Sequence, residues 1–186
     1  MTTTSEVRVW DPLVRGFHWT TVILCLLNFF VFEEGGSNHR YVGYALAALL
    51  SFRLLWGLVG SYYARFAQWW PTPDRIRNYL GQLSRGHHPY YLGHNPLGAL
   101  MIWLLLLSLA GTVATGWLTT LAPFKGAEWM EEAHEILANT LMAATGIHGA
   151  VVLLTDRLTR SDLLRAMVRG RKRVPTGIKV EDPRSE

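Results

Sequence analysis

Four long apolar runs dominate the sequence of 186 residues and constrain its fold more than any other feature. The first and third runs, 16–32 and 97–122, contain no charged residue. A membrane-spanning helix needs about 20 mainly apolar residues, and only helices or closed barrels satisfy their backbone polar groups inside lipid. The sequence therefore predicts an all-α integral membrane protein, a four-helix bundle with spans at about 14–33, 39–60, 96–120 and 133–155. This single transmembrane domain is expected to cover 1–170, and a polar, disordered tail is expected over 171–186.

Charged residues are scarce and unevenly distributed. They make up 17% of the chain, against about 25% in a typical soluble domain. Basic residues concentrate at the amino end, in 61–93 and after Asp156, whereas the loops 33–38 and 123–133 are acidic or nearly uncharged. By the positive-inside rule, both termini are expected in the cytoplasm. The net charge of +4 does not indicate a nucleic-acid partner, because much of the chain is too apolar to lie in water.

The fourth apolar run carries two histidines, His134 and His148, which are 14 residues apart. This spacing puts both rings on one face of a helix, about 21 Å apart along its axis. No single metal ion can bind both rings, but two cofactors at different depths can bind one each. Gly146 and Gly149 flank His148 and leave room for a large flat group. A histidine inside a membrane span is a functional hypothesis by default.

Two further histidines match this pair in depth. His18 lies at the start of the first run, on the cytoplasmic side, and His39 lies at the start of the second, on the outer side. Depth therefore pairs His39 with His134 and His18 with His148. Two sites with two imidazoles each, from different helices, fit two b-type haems with both axial positions filled by histidine. Packing histidines are the alternative, but they do not explain two matched depths.

The haem groups are expected to be held without covalent bonds, since Cys25 is the only cysteine and the Cys-x-x-Cys-His motif is absent.

The distances of His18 and His148 from the ends of their apolar runs fit this pairing imperfectly. His18 lies only 3 residues after Arg15, whereas His148 lies 8 residues before Asp156. The first helix must therefore begin before Arg15 or tilt for the inner pair to meet.

Two arginines are candidates for binding the haem propionates. Arg53 lies 14 residues after His39, on the same helical face and level with the inner pair. An arginine among apolar residues needs a partner or a route to water, so Arg53 is the candidate for the inner haem. Arg40, next to His39, is the candidate for the outer haem. Contact with lipid headgroups is the alternative for Arg40.

Several segments resemble the bacterial di-haem membrane cytochrome b family, which includes prokaryotic cytochrome b(561) and the cytochrome b subunit of nickel–iron hydrogenases. The resemblance covers about 7–170, and its motifs occur in the right order. The matching segments are RVWDPLVRGFHW, HRYVGYALAALLSFRLLWGLVG, YLGHNPLGALM and HEILANTLMAATGIHGAVVL.

This resemblance implies a multi-pass haem protein of the bacterial inner membrane that passes electrons between the quinone pool and a redox partner. By motif position, the axial ligands are His18, His39, His134 and His148. His94 also matches a family motif, and three roles stay open for it: a donor to a propionate, a wall of a quinone pocket, or an interfacial or capping residue. The partners implied are membrane lipid, quinone or quinol, a periplasmic cytochrome c or a hydrogenase, and a second copy of the chain in a homodimer.

Other functions remain open at this stage. The protein could oxidise or reduce superoxide or quinone without a dedicated partner, so the sequence does not decide whether it is an enzyme. A histidine-lined ion or metal transporter belongs to a different class, but the usual paired carboxylates inside the membrane are missing. A structural or assembly subunit is the third alternative.

Overall fold

The fold is taken from a computed structural model that describes residues 4–159, 161–175 and 180–181. Within these residues, four helices are long and apolar enough to cross a membrane, which confirms the predicted all-α membrane bundle. They are α1 (Pro12–Phe30), α2 (Ser37–Val59), α5 (Pro96–Leu118) and α6 (Glu128–Thr159). Shorter elements complete the described chain: β1 (Thr4–Arg8), a 3-10 turn (Tyr62–Ala64), α3 (Phe66–Trp69), α4 (Pro73–Ser84), β2 (Tyr90–Tyr91), α7 (Leu163–Arg169), β3 (Arg171–Pro175) and β4 (Val180–Glu181).

Helix α1 begins earlier than the apolar run suggests. Asp11 caps it, because its Oδ1 accepts hydrogen bonds from the backbone N–H groups of Leu13 and Val14, both at 2.9 Å. Pro12 takes the first helical position, where its missing N–H costs nothing. Arg15 therefore lies inside the helix, and its Nη1 donates to the carbonyl oxygen of Val168 at 2.6 Å. The first helix thus begins before Arg15, which is one of the two ways in which the predicted inner pair can meet.

The described chain forms two compact units rather than one. The bundle unit contains Gly16–Leu55 and Trp103–Gly149. The terminal unit contains the described residues up to Arg15, Trp56–Ile102, and those from Ala150 onwards. The single transmembrane domain over 1–170 stays a prediction.

The terminal unit joins the two ends of the chain. Strand β1 pairs antiparallel with β3, and the register places Val7 opposite Lys172. The backbone N–H groups of Val9 and Trp10 both donate to the carbonyl oxygen of Gly170, at 2.9 and 3.2 Å. Gly170 has a φ of 78°, which suits glycine. The buried core of this unit consists of Val9, Trp10, Val14, Tyr63, Ala64, Leu92, Ala166 and Val174.

Part of the carboxyl end, where the sequence predicts a disordered tail over 171–186, forms strands. Strand β3 covers Arg171–Pro175, and β4 pairs parallel with β2. Lys172 and Val174 are buried, whereas Arg171 and Arg173 are exposed, and this alternation is that of a strand with one covered face. The rest of the expected tail, 176–179 and 182–186, lies outside the described residues.

Lys172 is the most unusual group of the terminal unit. Only 4% of its surface is exposed, and its Nζ donates to the carbonyl oxygen of Tyr91 at 2.7 Å. The same Nζ lies 4.5 Å from the centroid of the Tyr90 ring. Burial lowers the pKa of Lys172 to about 8, although the charges of Asp156 and Asp162 raise it. The amine therefore ties β3 to β2 through one hydrogen bond and one ring contact.

Candidate functional site

In the bundle unit, His39 of α2 and His134 of α6 face each other. Their ring centroids are 6.1 Å apart and their planes are inclined by 73°. A metal ion binds an imidazole nitrogen at about 2 Å, and the ring centre lies about 1 Å behind that nitrogen. Two rings on opposite sides of one metal ion therefore have centroids roughly 6 Å apart, so the observed spacing fits two imidazole ligands of one ion.

Helix α5 sets the orientation and the protonation of His134. Its Nδ1 lies 2.9 Å from the carbonyl oxygen of Thr112 and 3.2 Å from Oγ1 of Thr115. A carbonyl oxygen can only accept, so Nδ1 carries the proton and Nε2 keeps a lone pair. Metal-binding histidines commonly donate their second nitrogen to a carbonyl in this way. Gly116 permits the close approach, because a Cβ there would lie 2.8 Å from Cε1 of His134.

The second pair is His18 of α1 and His148 of α6. The two rings are close enough for the charge of one to act on the other. Nδ1 of His18, like Nδ1 of His39, is buried and has no hydrogen-bond partner among the described residues. Each ring therefore keeps a nitrogen that is available for a further bond. Such a bond would be stabilising, because a buried polar atom without a partner costs free energy.

Glycines leave open space beside both pairs. A Cβ placed on Gly43, one turn after His39, or on Gly149, next to His148, would meet no atom within 4 Å. Both glycines are half-buried, whereas Gly146, which the sequence analysis also assigned to this role, is exposed. The room for a flat group therefore rests on Gly43 and Gly149.

The number of ligands at each pair limits what can bind. Within the described part of the chain, no cluster of three or more His, Cys, Asp and Glu side chains could hold a metal ion. A bare zinc ion usually needs three or four protein ligands, whereas haem iron takes four ligands from its macrocycle and two from the protein. Pairs of imidazoles beside open space therefore fit haem better than a bare ion.

A family model for prokaryotic cytochrome b561 matches residues 9–170 of the chain. The chain belongs to the prokaryotic cytochrome b561 family. The match includes all four histidines of the bundle unit, and it confirms the family that the sequence motifs indicated. No curated protein and no solved structure shows a significant match. The protein is thus a bacterial multi-pass membrane cytochrome of the b type, an electron-transfer protein for which the family implies haem b.

The two candidate arginines of this cytochrome differ in burial. Arg53 is 4% exposed and lies on the buried face of α2 with Leu46 and Leu50. A guanidinium keeps its charge when buried, so this position favours an anionic neighbour. Arg40 is exposed and lines an open surface cavity of about 260 Å³, together with Ser37, Tyr41, Tyr44 and Thr120.

His94 of the cytochrome belongs to the terminal unit, whereas the other four candidate histidines belong to the bundle unit. Its ring centroid lies 4.6 Å from that of Trp10 and 4.9 Å from that of Trp69. The cap of α5 is provided by Asn95, whose Oδ1 accepts from the N–H of Gly98 at 2.7 Å. His94 is therefore part of an aromatic cluster, next to the residue that caps α5.

Sequence reasoning missed two features of the bundle unit. One is the support of His134 by Thr112, Thr115 and Gly116, which was hidden in the uncharged third run. The other is a polar face on α1 that contains Thr21 and Asn28. In both cases the signal was available as small or polar residues at helical spacing inside an apolar run.

Proposed function

We propose that this cytochrome binds two haem b groups, one between His39 and His134 and one between His18 and His148. Electrons would pass through them between the quinone pool and a redox partner. The observation that carries the proposal is the 6.1 Å spacing of His39 and His134, with Nδ1 of His134 donating to a carbonyl oxygen. Because Nε2 of His134 keeps its lone pair, this nitrogen is available to bind a metal ion.

Haem b supplies an iron atom that changes its charge by one electron, and the protein controls where and at what potential this occurs. The helices hold the imidazoles, and α5 orients His134. The apolar side chains of the bundle exclude water. Arg53 is proposed to neutralise the propionates of the inner haem, and Arg40 those of the outer haem. The exposed Arg40 is expected to contribute less, because solvent screens its charge.

The two sites lie in series along α6. Since His134 and His148 are 14 residues apart, they are separated by about 21 Å along the helix axis. Two haems at this spacing form a path across most of the hydrocarbon core, which is about 30 Å thick. The positive-inside rule supports both termini in the cytoplasm of the bacterial inner membrane, with the His39–His134 site on the outer side.

Quinone, a periplasmic cytochrome c, a hydrogenase and a second copy of the chain remain the proposed partners. The aromatic cluster of Trp10, Trp69 and His94 supports a quinone contact, since flat rings stack on a quinone and an imidazole can donate to its carbonyl. The open cavity lined by Arg40 supports the second candidate function, in which a small anion such as superoxide reacts directly at the outer site. Consumption of superoxide with quinone reduction by the purified protein alone would favour that function.

Haem content tests the main proposal. The purified protein should show b-type bands in a reduced-minus-oxidised spectrum and contain about two haems per chain. His39→Ala and His134→Ala should remove the same spectral component, whereas His18→Ala and His148→Ala should remove the other. His87→Ala, an exposed histidine, serves as the control and should keep both haems. A colourless protein that binds zinc would overturn the proposal and favour the transporter.

A further inference from the structure

Helix α1 carries a polar stripe inside the membrane span. His18, Thr21, Cys25 and Asn28 are spaced by 3, 4 and 3 residues. At about 100° per residue, they share a face roughly 80° wide. Cys25 is buried and the other three are half-buried, so the stripe faces the interior of the bundle unit.

Two oxygen atoms of this stripe are buried without a hydrogen bond. Oγ1 of Thr21 and Oδ1 of Asn28 have no partner among the described residues. Other threonines in the spans satisfy themselves by donating to a carbonyl oxygen one turn earlier: Thr112, Thr115, Thr140 and Thr145. Thr21 makes no such bond. Buried polar groups in a membrane protein normally have partners, so these two oxygens need an explanation.

Along the helix axis, Thr21 lies near the level of one histidine pair and Asn28 near the level of the other. Thr21 is 3 residues beyond His18, or about 4.5 Å along α1. Asn28 is 10 residues beyond His18, or about 15 Å. The charge of His148 acts on His18, so the two rings are taken to lie at a similar level. Since His134 is about 21 Å from His148 along α6, Asn28 comes within about 6 Å of the level of the outer pair.

We infer that Thr21 lines the inner haem site and Asn28 the outer haem site, and that each sets the reduction potential of its own haem. This inference rests on the proposed function. Both residues present an oxygen with lone pairs toward the bundle interior. The negative end of such a dipole stabilises ferric iron, which carries one more positive charge than ferrous iron. Each oxygen therefore lowers the potential at which its haem accepts one electron from the reductant.

Potentiometric titration of the purified holoprotein, followed by its optical spectrum, tests the inference. Asn28→Leu removes the dipole, keeps the number and branching of the heavy atoms, and should raise the potential of the outer haem alone. Thr21→Val should raise that of the inner haem alone. A threefold change in the one-electron equilibrium, about 30 mV, is the expected scale. The His39→Ala and His18→Ala proteins identify which spectral component belongs to which site.

Matched controls distinguish a local effect of the two side-chain dipoles from an unspecific effect of replacing a polar residue in a membrane span. Asn139→Leu and Thr140→Val make the same changes at exposed positions of α6 and should move neither potential. Thr21→Ser keeps the hydroxyl and should retain the wild-type potential. If Asn28→Leu loses haem, Asn28→Ser and Asn28→Ala replace it in the test. Asn28→Ser keeps an oxygen and must retain both haems. Its shift of the outer potential should be smaller than that of Asn28→Ala, which has no side-chain dipole.

The results distinguish failure of the inference from failure of the proposed function. Two haems whose potentials do not respond to Asn28→Leu and Thr21→Val, or that respond equally to the controls, would overturn the inference alone. A wild-type protein without two haems would overturn the proposed function itself.

Discussion

Nδ1 of His134 lies 2.9 Å from the main-chain carbonyl oxygen of Thr112 on the neighbouring helix. A backbone carbonyl cannot be removed by substitution and cannot donate, so it imposes one tautomer on the ring. The contact needs α5 and α6 to approach closely, and Gly116 makes this possible. The orientation of the His134 ring therefore depends on the packing of α5 against α6.

Gly116→Ala should disturb the outer site. The new Cβ would lie 2.8 Å from Cε1 of His134, so the ring or the helix must move. Loss of a supporting contact to a metal ligand typically weakens metal binding by about 10–100-fold. We expect a comparable loss of haem from the His39–His134 site on dilution, measured by the decay of its b-type band. Gly146→Ala adds the same methyl group in open space and should bind both haems as the wild type does.

Arg53→Met should lower the potential of the inner haem. The substitution keeps a long apolar side chain but removes a buried positive charge. In the proposed arrangement, this charge stabilises the electron that the inner haem accepts. Redox titration of the variant measures the effect, and Arg40→Met, at an exposed position, should change the outer haem less. Equal potentials in Arg53→Met and the wild type would contradict the assignment of Arg53.

The parts of the fold and of the site that the sequence predicts are those where polar residues mark one face of a helix. The spacing of 14 residues between His134 and His148 predicts their shared face and their separation in depth. The alternating direction of the spans then predicts His39 and His18 as their partners. The rotation of α5 was not predicted, because its polar face consists only of small neutral residues, Ser108, Thr112 and Thr115, which suit plain helix packing equally well. The pairing of β3 was hidden by its composition, since Arg171, Lys172 and Arg173 read as a charged tail until Lys172 is seen to be buried.

Lys172→Met should stabilise the terminal unit at neutral pH. Burial lowers the pKa of Lys172 from 10.5 to about 8. Below about pH 8 the amine of Lys172 is charged while buried, and this lowers the free energy of unfolding. Between about pH 8 and 10.5 the unfolded state binds more protons than the folded state, so the free energy of unfolding rises with pH. At pH 7 the buried charge of Lys172 lowers the free energy of unfolding by about 3 kcal/mol at most.

Hydrogen exchange of the β1 and β3 backbone amides measures this effect. Comparison of variant and wild type at the same pH removes the intrinsic dependence of exchange on pH. Exchange in Lys172→Met should be slower at pH 7, and the difference should shrink towards pH 10. Faster exchange in the variant at pH 7 would show that the hydrogen bond to Tyr91 outweighs the burial of the charge.

The spin state of the oxidised iron tests the central claim most directly. Two imidazoles on each haem make six-coordinate, low-spin ferric iron, so low-temperature electron paramagnetic resonance of the purified protein should show two low-spin signals. In His134→Ala, one of them should disappear or become high-spin while the other is unchanged. A high-spin signal from the wild-type protein, or a single low-spin signal that survives His134→Ala and His148→Ala alike, would contradict the account.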